Sequence, residues 1–137
     1  LYLGDSYLYH NNMREGSLSR GYVNEAFVMM KPLFEILNKI SRKAINYNFS
    51  NQIKARVFRT LIFCIENEFR EKNNKSFFKK YKDIKKMMYD EEIKTYLNNY
   101  CPGKEKSKIL YFYLYKSKMI FLTMVFANYK LKKTAKI

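Results

Sequence analysis

Val23, Phe27, Met30, Leu33, Phe34, Leu37 and Ile40 recur at steps of three and four residues. That is the period of a helix with one buried stripe, and it predicts a helix over 22–46. Pro32 lies inside it, removes one backbone donor and crowds the preceding turn, which predicts a kink or break near Met30. Residues 46–51 read as a polar turn, with Ser50 as the N-cap of a second helix over 51–72. Ile53, Val57, Leu61, Cys64, Ile65 and Phe69 mark its inner side. A third helix over 75–89 is predicted to turn Phe77, Phe78, Tyr81, Ile84, Met87 and Met88 inward and its six lysines outward. Asp90 is placed to cap a short fourth helix over 91–99. Cys101-Pro102-Gly103 is a stop. Residues 104–133 form a last helical stretch, unusually apolar, with a break near Lys116-Ser117-Lys118.

The front of the chain differs. Residues 1–9, rich in Tyr and Leu, read as a short strand. Residues 10–20 then gather the single His, two Asn, two Arg, one Glu, one Gly and two Ser. A polar loop between a strand end and a helix start is where α/β proteins place ligands. The fold class expected is therefore mainly α: a helical region following a short strand and loop that close an α/β unit. The chain opens inside the apolar run Leu1-Tyr2-Leu3, and it is expected to be the C-terminal part of a longer protein.

With 137 residues there is enough chain for one domain with a real core. The net charge of +15 and the 18% aromatic content suit an anionic partner, either nucleic acid or a membrane surface. Abundant Lys, Asn, Ile, Tyr and Phe together are also what A/T-rich codons supply, which weakens that inference. The charge is concentrated: residues 1–74 hold 11 basic and 7 acidic side chains, and residues 75–137 hold 16 and 5. Two distant cysteines, Cys64 and Cys101, form neither a disulfide framework nor a metal motif. Cys64 reads as a small core residue. The longest uncharged run, residues 119–129, is eleven residues, where a spanning helix needs about 20.

Catalytic candidates are few. Any His-based metal site or His-paired nucleophile must involve His10, which more simply reads as a polar residue at a strand end. Neither a P-loop nor a G-x-G-x-x-G run is present. Arg14-Glu15-Gly16-Ser17 is different. Arg14 offers a fork of donors suited to phosphate. Gly16 lets backbone amides approach a ligand, and Ser17 and Ser19 add hydroxyls. A helix start behind them supplies unpaired N–H groups. Chemically this is a diphosphate-sized anion site; a plain surface turn with a helix cap explains the same four residues.

The order Tyr7-Leu8-Tyr9, a short polar stretch from His10 to Met13, then Arg14-Glu15-Gly16-Ser17-Leu18 and a long helix resembles the end of the catalytic domain in bacterial family 2 glycosyltransferases. The specific match covers about twenty residues; the basic, helical remainder is similar to that family's extensions only in character. Asn11 and Asn12 stand where the family often carries aromatic and basic residues. The family's Asp-x-Asp metal motif and catalytic base lie upstream of such a segment and outside this chain.

The resemblance implies an inverting transferase of the GT-A fold, with a nucleotide-diphosphate sugar as donor, a glycan or lipid-linked acceptor, and a divalent metal (Mg or Mn) whose ligands lie elsewhere. Arg14 and Ser17 match the positions that approach the donor diphosphate, with His10, Gly16 and Ser19 as candidate pocket lining. Residues 1–47 would end the catalytic domain and 48–137 form a helical extension, lacking a catalytic base and metal ligands. A cytoplasmic protein, peripheral on the inner face of the plasma membrane, is expected. Residues 104–137 suit either a buried core helix or a face lying on anionic lipid. The competing reading is a non-enzymatic basic helical domain that binds nucleic acid or serves as a scaffold or homo-oligomer. Against nucleic acid, the aromatics fall on apolar helix faces and no recognition-helix or RNP pattern is present.

Overall fold

The computed structural model describes residues 21–43 and 49–135. These form six helices: α1 (Ala26–Lys43), α2 (Ser50–Asn67), α3 (Phe77–Met88), α4 (Glu91–Tyr96), α5 (Lys106–Lys116) and α6 (Ile120–Ala135). The described residues contain no strand, in keeping with a mainly α class. The strand expected over residues 1–9 lies outside them.

α2 is the axis. Val57, Phe58, Leu61, Cys64 and Ile65 are buried along its length, and α1, α3, α4 and α6 all pack against it. α1 presses Ala26, Phe27 and Phe34 into the core. Phe34 meets Tyr96 edge-on at 5.9 Å between ring centres. Phe58 packs on Tyr100 at 5.3 Å and Phe112 at 5.8 Å, and Tyr111 on Phe126 at 4.8 Å. Offset and edge-on ring pairs of this kind are the favoured arrangements.

The helix ends follow local chemistry. Asp90 caps α4, its Oδ1 accepting from the amides of Glu92 and Ile93 at 3.1 Å each. Ser76 caps α3. The break between α5 and α6 falls at Ser117–Met119, where Lys118 takes φ of 56°. Its ammonium is held over the rings of Tyr115 at 4.3 Å and Tyr89 at 4.8 Å and donates to the Met88 carbonyl. These contacts offset the cost of a left-handed residue.

Four expectations need correction. α1 begins at Ala26, not at residue 22, because Val23 gives its backbone groups to Asn67 instead of to a helix. No break falls at Pro32: α1 runs through it, with Phe27 and Phe34, one on each side of the proline, both buried. Ser50 is the first helical residue of α2, and Phe49 occupies the N-cap. Phe77 and Phe78 do not face the core: they are 52% and 77% exposed. The inward place belongs instead to Lys75, which two carboxylates neutralise.

Candidate functional site

The loop singled out by sequence, with His10, Arg14, Gly16, Ser17 and Ser19, lies outside the described residues. What the structure describes is the segment that loop runs into, and how it is held. Gly21 to Glu25 lead from the loop into α1, and the C-terminal turn of α2 grips them. Asn67 is fully buried. Its Oδ1 accepts from the Val23 amide at 2.9 Å and its Nδ2 donates to the Val23 carbonyl at 2.8 Å. Arg70 donates from Nη1 to the Gly21 carbonyl at 2.9 Å while its guanidinium lies over the Phe63 ring at 4.9 Å. Three backbone groups within three residues of the loop's end are thus fixed by side chains from a single helix terminus.

Beneath this clamp sits a charge cluster. Glu68 is 3% exposed. Both its carboxylate oxygens accept from Lys75 Nζ at 3.0 Å, and Asp83 Oδ2 accepts from the same nitrogen at 2.7 Å. Asn73 Nδ2 donates to the Glu68 carbonyl at 2.8 Å and to its side chain at 3.1 Å. The Lys75 ammonium also lies over the Tyr22 ring at 5.7 Å, which ties the cluster to the lead-in segment. Burial alone would lower the Lys75 pKa; Asp83 and Glu68 outweigh it and hold the ammonium well above its ordinary value.

Two further ionic groups staple the helices. Glu66 accepts from the Tyr111 hydroxyl at 3.0 Å and from Lys130 Nζ at 2.9 Å, joining α2 to α5 and α6. Lys31 bridges Asp90 at 2.8 Å and Glu92 at 3.1 Å, joining α1 to the start of α4. All these carboxylates are committed to cations or hydroxyls. Among the described residues no group of His, Cys, Asp and Glu is arranged to hold a metal ion. Cys64 is buried, and burial, with the nearby Glu68 charge, pushes its thiol up to about 12, the state of an inert core cysteine.

The loop that a helix start was expected to reinforce lies outside the described residues, so only the sequence separation is fixed. α1 starts at Ala26, seven residues beyond Ser19. Sequence reasoning also missed Asn67, Arg70 and Lys75. A signal for part of this existed: the buried series Leu61, Cys64, Ile65 continues at helical spacing to Glu68, a carboxylate in an apolar slot that demands a buried cation.

No family model, curated protein or solved structure matches this chain.

Proposed function

We propose that this chain is the C-terminal part of a nucleotide-sugar transferase of the GT-A type. In this reading residues 10–20 contact the donor diphosphate, Arg14 through its guanidinium and Ser17 through its hydroxyl. The observation that carries the reading is Arg14-Glu15-Gly16-Ser17 entering a segment whose backbone is clamped at Gly21 and Val23. A loop that closes on a donor needs a fixed root from which to move. Asn67 and Arg70 provide one.

α1 supplies a second support. It is apolar on two sides. Phe27 and Phe34 are buried in the core, while Met29, Leu33, Ile36 and Ile40, at spacings of four, three and four, are 44–65% exposed. A helix apolar on both sides suits a place between two packed layers. Under this proposal the second layer is the catalytic domain, and α1 is the seam between it and the helical extension. The divalent metal and the general base would be held by that upstream domain. The metal, when bound, would neutralise the leaving diphosphate; in this reading Arg14 adds a further positive charge toward the same group.

The test is nucleotide-diphosphate release from a panel of sugar donors by the protein with its complete reading frame. Arg14→Ala should lower donor turnover by roughly 10- to 1000-fold while leaving the melting temperature unchanged, because one charge-assisted contact formed mainly in the transition state is removed. Unchanged kinetics would remove Arg14 from the site. A reading frame that starts beside Leu1, with no upstream Asp-x-Asp, would defeat the transferase reading.

A further inference from the structure

We propose that the outer edge formed by α3 and α6 is a docking surface for an anionic lipid bilayer. The inference is independent of the transferase reading. Phe121, Leu122, Val125 and Tyr129 are 59%, 44%, 51% and 61% exposed, and steps of three and four along α6 place them on one side of the helix. The opposite side carries the buried Ile120, Thr123, Met124 and Ala127. The strip extends onto α3 because the Phe77 ring meets Phe121 at 6.4 Å and Phe78 at 6.1 Å. Phe78, 77% exposed, is the outermost of these rings.

Charge selects the occupant. Residues 106–135, spanning α5 and α6, contain seven lysines and no Asp or Glu; Lys118 and Lys130 are held by the Met88 carbonyl and Glu66 and Lys108 pairs with Glu105, while Lys106, Lys116, Lys132 and Lys133 are exposed. Lys132 and Lys133 are exposed one turn beyond Tyr129 on the same side of α6. A second copy of this chain would bring basic surface against basic surface. Nucleic acid uses cations interleaved with stacking rings; here Leu122 and Val125, which cannot stack, stand among the rings, and the lysines flank them at the C-terminal end. Aliphatic and aromatic side chains entering the acyl boundary, tyrosine near the headgroups and lysines on anionic phosphates fit an interfacial helix. No helix among the described residues is long and apolar enough to cross a membrane, so the contact lies along the surface.

The experiment is co-flotation of the purified protein with vesicles of phosphatidylcholine, with and without phosphatidylglycerol, at low and high salt. Binding is expected on anionic vesicles, with loss at high salt. Phe78→Ser with Phe121→Ser should weaken partitioning on the order of 10- to 100-fold, with circular dichroism and melting unchanged. Lys132→Glu with Lys133→Glu should abolish the preference for anionic vesicles. Absence of flotation at low salt, equal binding to neutral vesicles, or binding indifferent to both variant pairs would overturn the proposal. So would retention of single-stranded RNA, or self-association, that is lost in the Phe78→Ser and Phe121→Ser protein while vesicle binding persists.

Discussion

Asn67 holds Val23 by both of its backbone groups, at 2.9 Å and 2.8 Å, across 44 residues of sequence. The amide side chain substitutes for a neighbouring strand or helix turn, and it does so where water cannot. Asn67→Ala leaves a donor and an acceptor of Val23 without partners. Each such loss in a buried setting costs about 1–3 kcal/mol, so the substitution is expected to lower unfolding free energy by about 2–4 kcal/mol. Urea titration checks this. Asn67→Asp preserves the acceptor for the Val23 amide but removes the donor and buries a charge beside Glu68, and it should be no better than alanine.

The second prediction concerns Lys75. Its ammonium compensates Glu68, which is almost wholly buried. Lys75→Met removes the cation and leaves the carboxylate, a change that costs about 3 kcal/mol when the remaining charge stays buried. Because the folded-state pKa of Lys75 lies above its ordinary 10.5, its contribution is complete below that pH and fades as pH rises further. Tyr111 acts in the same direction: burial, then the Glu66 charge, holds its hydroxyl protonated above the ordinary value of 10. Alkaline unfolding should therefore begin near pH 10, and Tyr111→Phe should flatten the first part of that profile. A denaturation series across the alkaline range reads both effects.

Much of this architecture is legible in the pattern of residues, and the failures share a cause. Asp90, Cys101-Pro102-Gly103 and Lys116-Ser117-Lys118 punctuate the chain where their own chemistry acts on their own backbone, so the second half divides where the sequence indicates. Phe77, Phe78 and Lys75 depart from the pattern because periodicity assigns the apolar side of a helix to a core. It does not register that Glu68, from another helix end, draws Lys75 inward while α6 leaves the two rings outside. Asn67 and Arg70 could not be anticipated as a clamp, since their partners are backbone groups of Gly21 and Val23, which carry no sequence signal. The donor-site expectation for Arg14 and Ser17 rests on their residue types and on a resemblance, and both lie outside the described residues.

The cysteines give a third test. Cys101 is exposed and Cys64 buried, with the Cys64 thiol raised to about 12. Only a thiolate on the surface reacts readily. One thiol should titrate at once with a disulfide reagent at neutral pH and the second only on unfolding. Cys101→Ser should abolish the fast phase. A fast phase surviving in that variant would place Cys64 within reach of solvent.

The last prediction separates two lysines with the same backbone strain. Lys72 and Lys118 take φ of 70° and 56°, a region that costs a residue with a Cβ about 1–2 kcal/mol and glycine almost nothing. Lys72 is exposed in the turn after α2. Lys72→Gly should relieve the strain and, after the entropy that glycine adds to the unfolded chain, raise stability by about 0.5–1 kcal/mol. Lys118→Gly relieves the same strain but deletes the donation to the Met88 carbonyl and the contacts over Tyr89 and Tyr115. A charge-assisted hydrogen bond contributes about 1.5–3 kcal/mol and a half-buried cation on a ring about 1. The loss exceeds the relief, and Lys118→Gly should lower stability by about 1–2 kcal/mol on those magnitudes. Opposite shifts in the thermal midpoints of the two variants are expected. A rise in both would mean that Lys118 holds the α5–α6 break by backbone geometry alone.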